Sequence, residues 1–93
     1  MPEIRVQLFG FPQDIAPIRE VAITLADPAT LTDVIANLRK SVPTLVGFAI
    51  MPDEDRLVEN FKFNHNGRLV YTDFSSKVSS GDHIALLIQV SGG

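Results

Sequence analysis

The 93-residue chain contains no cysteine. This excludes a disulfide framework, a thiolate nucleophile and a Cys-ligated metal, so any sulfur chemistry must use sulfur supplied from outside. Basic charge is also scarce: eight Lys and Arg against eleven Asp and Glu leave a net charge of −3. No basic field exists to neutralise phosphates or anionic lipid heads, so neither nucleic acid nor a membrane surface is an expected partner. No apolar run reaches 18 residues, and the opening MPEIRVQLFG lacks the basic start and unbroken apolar stretch of a signal peptide. A cytoplasmic protein is expected.

The usual local signatures of catalysis are missing as well. There is no P-loop, GxGxxG or GxSxG motif, and Asp53, Glu54 and Asp55 do not match a calcium loop. His65 and His83 stand 18 residues apart without metal-ligand spacing, and Ser75, Ser76, Ser79 and Ser80 lie in turn-like sequence, so no metal site or nucleophilic serine is expected. A chain this short folds as one domain, 1–93, and buries only roughly 60 to 65% of the surface its unfolded form exposes. That is enough for one core but little for a deep enclosed pocket, which weighs against a self-sufficient enzyme.

What is present is clear patterning, with 45% hydrophobic and 20% charged residues, as in an ordinary folded domain. Glu3 to Phe9 alternate strictly, with Ile4, Val6 and Leu8 on one face, and Val21, Ile23 and Leu25 resume the alternation after a loop containing Gly10, Pro12, Asp14 and Pro17. The two runs predict a hairpin with a long loop, ended by Asp27-Pro28. Thr30 with Asp33 is a variant capping box, and Leu31, Val34, Ile35 and Leu38 follow at helical spacing, predicting a helix over about Leu31 to Ser41 that Pro43 prevents from continuing. Thr44 to Met51 is apolar without a clear period and is read as a short helix or turn beneath the sheet. After the polar break Pro52 to Asp55, Leu57, Phe61 and Phe63 share a face if extended, and Asn66-Gly67 predicts a type I′ turn joining Phe61–Asn64 to Arg68–Tyr71. Ser79 to Asp82 form another turn, and His83 to Val90 make the last strand, with Ile84, Leu86, Ile88 and Val90 inward. The order predicts an α+β chain: a mixed sheet of about five strands with one main helix across one face and the last strand parallel to the first, the β-grasp (ubiquitin-like) arrangement.

The remaining unusual feature is the end. Gly92 and Gly93 follow the last strand, separated from Val90 only by Ser91. Two terminal glycines arise by chance in roughly one chain in 200, and a frayed terminus is the simplest account of them. Their chemistry allows more. Three residues past Val90 extend about 10 Å, and glycine has no Cβ to obstruct a narrow channel. A terminal carboxylate on such a stalk can enter another protein's active site, where adenylation by ATP supplies the leaving group that the carboxylate lacks, and a sulfur nucleophile then yields a thiocarboxylate. Every catalytic group can belong to a partner.

The segments EIRVQLFG, ATLTDVIANL and NG-R-LV, and above all GDHIALLIQVSGG, make the chain resemble the MoaD/ThiS sulfur carriers, ubiquitin-like β-grasp proteins ending in Gly-Gly. The most specific part is the ending formed by Gly81, Asp82, Ile84 to Ile88, Val90, Ser91, Gly92 and Gly93. The resemblance implies a carrier adenylated at Gly93 by a ubiquitin-activating-type enzyme, charged with sulfur by a donor protein, and discharged to an acceptor enzyme, with Ser91 and Gly92 permitting threading. It implies no bound cofactor, ATP being used by the activating partner. The V-S-G-G ending looks most like the molybdopterin branch, in which the carrier is the small subunit of molybdopterin synthase and its tail enters the large subunit. Two features depart from that pattern: Ile88 and Gln89 stand where that branch often has prolines, and Pro52 to Arg56 looks like a longer loop than a minimal carrier needs.

Strand parity adds a docking expectation: Phe9 and Leu87, opposite the core-facing residues of neighbouring strands, put an apolar patch on the exposed sheet face for the activating enzyme. Two other functions stay open. One is a protein modifier joined through Gly93 to target lysines, and the other is a sulfur carrier for a different pathway, such as thiamin or cysteine synthesis. A passive β-grasp binding module, indifferent to loss of Gly92 and Gly93, is a further alternative.

Overall fold

The computed structural model describes residues 3–88. Its elements in chain order are β1 (Glu3–Leu8), β2 (Glu20–Thr24), β3 (Ala29–Thr30), α1 (Leu31–Ser41), a 3₁₀ turn at Pro43–Leu45, β4 (Phe61–His65), β5 (Arg68–Val70), β6 (Lys77–Val78) and β7 (His83–Ile88). Five strands form one sheet in the order β2-β1-β7-β4-β5. β1 and β7 are parallel, whereas the β1–β2, β4–β7 and β4–β5 pairs are antiparallel. This is the mixed, five-stranded, helix-backed β-grasp that the order of patterned segments predicts.

Each main element follows from its local pattern. In β1, Ile4, Val6 and Leu8 are buried while Glu3, Arg5 and Gln7 are exposed, so the alternation of the sequence is the alternation of the two sheet faces. The helix opens with the Asp33 carboxylate accepting the Thr30 backbone N–H at 2.8 Å and the Thr30 hydroxyl at 3.3 Å. Its apolar stripe, Leu31, Val34, Ile35 and Leu38, is wholly enclosed against the sheet. Arg39 and Lys40 occupy the last turn, where cations favour the helix dipole, and Pro43 begins the 3₁₀ turn. The β4–β5 hairpin turns on Asn66 (φ 54°) and Gly67 (φ 88°), the two positive φ angles of a type I′ turn, with the Asn64 side chain accepting the Gly67 amide at 2.8 Å.

Four details differ from the sequence expectation. The small β3–β6 pair adds a second sheet, too short to leave any periodicity. It brings the 74–76 segment over the start of α1, where the Ser76 and Phe74 carbonyls accept the Leu31 and Thr32 amides at 3.1 and 2.9 Å, two of the donors a helix start leaves without partners. The stretch containing Leu57 is not continuous with β4, because Asn60 takes φ 80° and turns the chain; Leu57 instead bridges Ile50. The segment Pro52–Arg56 is a loop, as read, but Arg39 ties it to the helix, a link that its sequence does not announce. The Arg39 guanidinium donates to the carbonyls of Met51, Pro52 and Glu54 at 2.9, 3.1 and 2.6 Å, and to the Asp55 carboxylate at 3.2 Å. Finally, Ile88 lies on the core-facing side of β7 but is 42% exposed, because it sits beyond the edge of the helix-covered core.

Candidate functional site

The residues assigned to the chemistry, Ser91, Gly92 and Gly93, lie outside the described residues, as does the expected inward position of Val90. What the structure establishes is the platform that carries them. β7 is the middle strand of the sheet, paired in register with β1 on one side and β4 on the other. Ladders on both edges satisfy its backbone, and Ile84 and Leu86 are buried in the core. The strand leading to the glycines is therefore anchored up to Ile88, which pairs with Phe61.

Phe9 and Leu87 stand where strand parity placed them. Leu8 pairs with Leu86, and the Phe9 amide donates to the Leu86 carbonyl at 3.0 Å, so the next step brings Phe9 beside Leu87 on the face opposite the helix. Phe9 is 53% exposed and Leu87 is half-buried. Across β7, Leu87 pairs with Lys62, which is only 3% exposed, and the Lys62 ammonium lies 4.5 Å from the centroid of the Tyr71 ring, a cation–π distance. Exposed Leu69 and Tyr71 extend this partly apolar face toward β5.

A second group was not legible in the sequence. Phe11, Phe48 and Phe61 form a three-ring cluster with centroids 5.6 to 5.8 Å apart and tilted planes. Phe11 follows β1, Phe61 begins β4 and Phe48 follows the 3₁₀ turn, so the rings meet only because the topology brings those three points to the end of the sheet where β7 stops. Only the unpatterned apolar stretch around Phe48 hinted at an unassigned role. Beside this cluster, a groove of about 530 Å³ runs along the loop between β1 and β2, with Arg19 and Glu20 as its ionisable lining residues.

Ionisable groups concentrate at the other end. The Asp82 carboxylate lies 2.8 Å from His65 Nε2 and accepts the Ser79 amide at 2.8 Å. Partial burial acts to raise the Asp82 carboxyl, but hydrogen bonds from His65, the Ser79 backbone and the Asn66 side chain outweigh it and hold it below its ordinary value. The Asn66 side chain also accepts the His83 amide at 2.8 Å. The Gly-Asp pair of the sequence motif thus builds a turn: Gly81 takes φ 88° and Asp82 pins the start of β7 to the β4–β5 hairpin. Among the described residues no group of His, Cys, Asp and Glu is arranged to hold a metal ion, and no helix is long and apolar enough to cross a membrane.

Comparison with known proteins places this arrangement. The ThiS family pattern matches residues 6–93, which includes both terminal glycines. No curated protein matches in sequence. Among solved structures, the chain is similar to small archaeal modifier protein 1 of Haloferax volcanii, with 25% identity, a TM-score of 0.82 and coverage of 98% of this chain and 99% of that one. It is also similar to small archaeal modifier protein 1 of Methanosarcina acetivorans, at 24% identity and TM-score 0.76, covering 100% and 98% of the two chains. A protein provisionally designated molybdopterin converting factor, subunit 1, from Pyrococcus furiosus shares 20% identity and a TM-score of 0.72, over 97% of this chain and 100% of that one. The last two likenesses speak to the fold alone. With the family pattern running through nearly the whole sequence and the β-grasp fold in place, the chain belongs to the ThiS family of ubiquitin-like sulfur carriers.

Proposed function

We propose that the chain is a sulfur carrier whose reactive group is the Gly93 carboxylate, and that it acts in the cytoplasm as the small subunit of molybdopterin synthase. The observation that carries this reading is the family match extending through Gly93. The V-S-G-G ending and the likeness in fold to the Pyrococcus furiosus protein support the molybdopterin branch.

The chemistry balances with partners supplying every catalytic group. A carboxylate oxygen of Gly93 attacks the α-phosphorus of ATP on the adenylating enzyme and pyrophosphate leaves. A sulfur nucleophile from the donor protein attacks the resulting acyl-adenylate and AMP departs with the oxygen. Where that sulfur is the outer atom of a persulfide on the donor, the product is an acyl disulfide; a thiol then attacks the donor-side sulfur, forming a new disulfide and expelling the terminal thiocarboxylate as the leaving group. Gly92, without a Cβ, and the small Ser91 fit a narrow channel, and the acceptor, the large subunit of the synthase, takes the sulfur.

The likeness to two small archaeal modifier proteins favours a second reading, in which the same acyl-adenylate is attacked by the ε-amine of a target lysine and an isopeptide bond forms. Mass spectrometry separates the two. After incubation with its adenylating enzyme, ATP and a sulfur donor, the intact carrier is expected to exchange one oxygen for one sulfur. Gly-Gly remnants on target lysines, with no such exchange, would establish the modifier instead.

A further inference from the structure

The turn between β4 and β5 carries a reactive pair that the proposed function does not use. Of the four asparagines in the chain only Asn66 precedes a glycine. Glycine has no Cβ, so its backbone nitrogen approaches the side-chain carbonyl carbon of the preceding asparagine with little obstruction. Attack there forms the N–C bond of a five-membered succinimide and expels ammonia. Water then opens the ring at one carbonyl or the other and leaves aspartate or isoaspartate. The net change replaces the amide NH₂ by OH, and only water is consumed. Asn66 and Gly67 are both exposed, so water reaches the turn.

Both reacting groups are engaged in the fold. The Gly67 amide donates to the Asn64 side chain at 2.8 Å, and Asn66 Oδ1 accepts the His83 amide at 2.8 Å. The Asn66 amide in turn donates to the His83 carbonyl at 2.8 Å, so Asn66 grips the first residue of β7 through both its main chain and its side chain. Ring closure needs the Gly67 nitrogen freed and the Asn66 side chain swung off β7 onto it, so these bonds must open first. We propose that Asn66 is a deamidation site gated by its own hairpin: local opening of the turn sets the rate, and the product loosens the start of β7. Aspartate at this position keeps an acceptor for His83 but loses the amide that hydrogen-bonds Asp82, and it sets a second carboxylate beside the first, where like charges oppose each other. Isoaspartate moves a methylene from the side chain into the main chain, between residues whose two positive φ angles make the turn, and so disturbs the register of β5 against β4. The reaction requires nothing of Gly93.

The test follows the purified full chain by mass spectrometry in mildly alkaline buffer, where the backbone nitrogen gives up its proton more readily. Trypsin cleaves after Lys62 and Arg68 and releases FNHNGR, whose fragmentation assigns the NH₂-to-OH exchange to Asn66 or Asn64. The folded chain is expected to convert at Asn66 at least about tenfold more slowly than the same chain in urea, because only opened molecules react. Asn64→Ala, which frees the Gly67 amide, is expected to raise the rate in the folded chain about fivefold, the effect of one lost hydrogen bond on the opened population. Asn66→Asp, made directly as the product, is expected to unfold at a lower denaturant concentration than wild type. Equal rates in the folded chain and in urea, or an unchanged rate in a folded Asn64→Ala chain, overturn the gating. The urea comparison needs no variant and so decides the matter even where Asn64→Ala does not fold. A chain in urea that does not convert at Asn66 overturns the site itself, and an Asn66→Asp chain with the wild-type midpoint overturns its consequence for β7.

Discussion

The two ends of the sheet are built on opposite principles. At the end where β7 begins, side chains close the chain reversals: Asp82 binds His65 and the Ser79 amide, Asn66 binds His83, and Asn64 binds Gly67. At the end where β7 stops, three phenylalanines and exposed Ile18 and Ile88 replace those polar contacts. Hydrogen-bonded turns fix geometry and register without leaving much for another molecule to bind. Exposed aromatic surface contributes less to the fold and more to recognition, because its remaining apolar area is still in contact with water. The division places the hydrogen-bonded turns at the end where β7 begins and the exposed apolar side chains at the end where it stops.

The sharpest way to break this division is at the terminus itself. Removing Gly92 and Gly93 is expected to abolish adenylation and sulfur charging while leaving the melting transition essentially in place; a large loss of stability would mean that the tail serves the fold. On the outer face, Leu87→Asp is expected to lower the adenylation rate severalfold at subsaturating carrier, because a charge beside Phe9 disrupts an apolar patch. A folded Leu87→Asp protein with an unaltered rate would show that this patch does not dock the activating enzyme. At the polar end the expected signs reverse. Asp82→Asn is expected to cost about 1 to 3 kcal/mol of stability in denaturant titration, with charging of the folded fraction unaffected.

The pH dependence of that loss follows from its cause. The Asp82 carboxyl is held below its ordinary value of 3.8, so the native chain binds fewer protons than the unfolded chain in this range. Its stabilisation is fully present above the unfolded value and is lost as pH falls through the lower folded value. The difference between wild type and Asp82→Asn should therefore shrink as pH falls below 3.8; a difference that persists undiminished at lower pH would show that the carboxylate charge is not its source. The smallest effect is expected at the hairpin. Gly67→Ala meets no atom within 4 Å, so only its left-handed φ of 88° opposes the methyl group, at about 1 kcal/mol.

The elements legible beforehand were those whose signal is local. The β1 alternation, the Thr30–Asp33 cap, the helical stripe from Leu31 to Leu38 and the Asn66-Gly67 turn each fall within a few residues, and each appears as read. Strand parity was enough to put Phe9 and Leu87 on one face, because the side-chain period of a strand is two wherever the strand lies. Pairing across long separations was not legible. Two-residue β3 and β6 carry no period, the Arg39 guanidinium satisfies carbonyls 12 to 15 residues away, and His65 meets Asp82 across 17 residues, a partnership that neither residue's neighbourhood announces. Asp82 was noticed as part of a motif, but its work in pinning the start of β7 is visible only in three dimensions.

The sequence by itself determined the class of the protein: the order of patterned segments admits one economical sheet, and the chain carries the ThiS family pattern over residues 6–93. Only the tertiary structure decided which ends of the strands come together. Periodicity records which face of a strand or helix meets the core, since burial is repeated at every turn or pleat. It does not record which strand ends meet, because Phe11, Phe48 and Phe61 become neighbours through the closure of the sheet and not through their spacing in the chain.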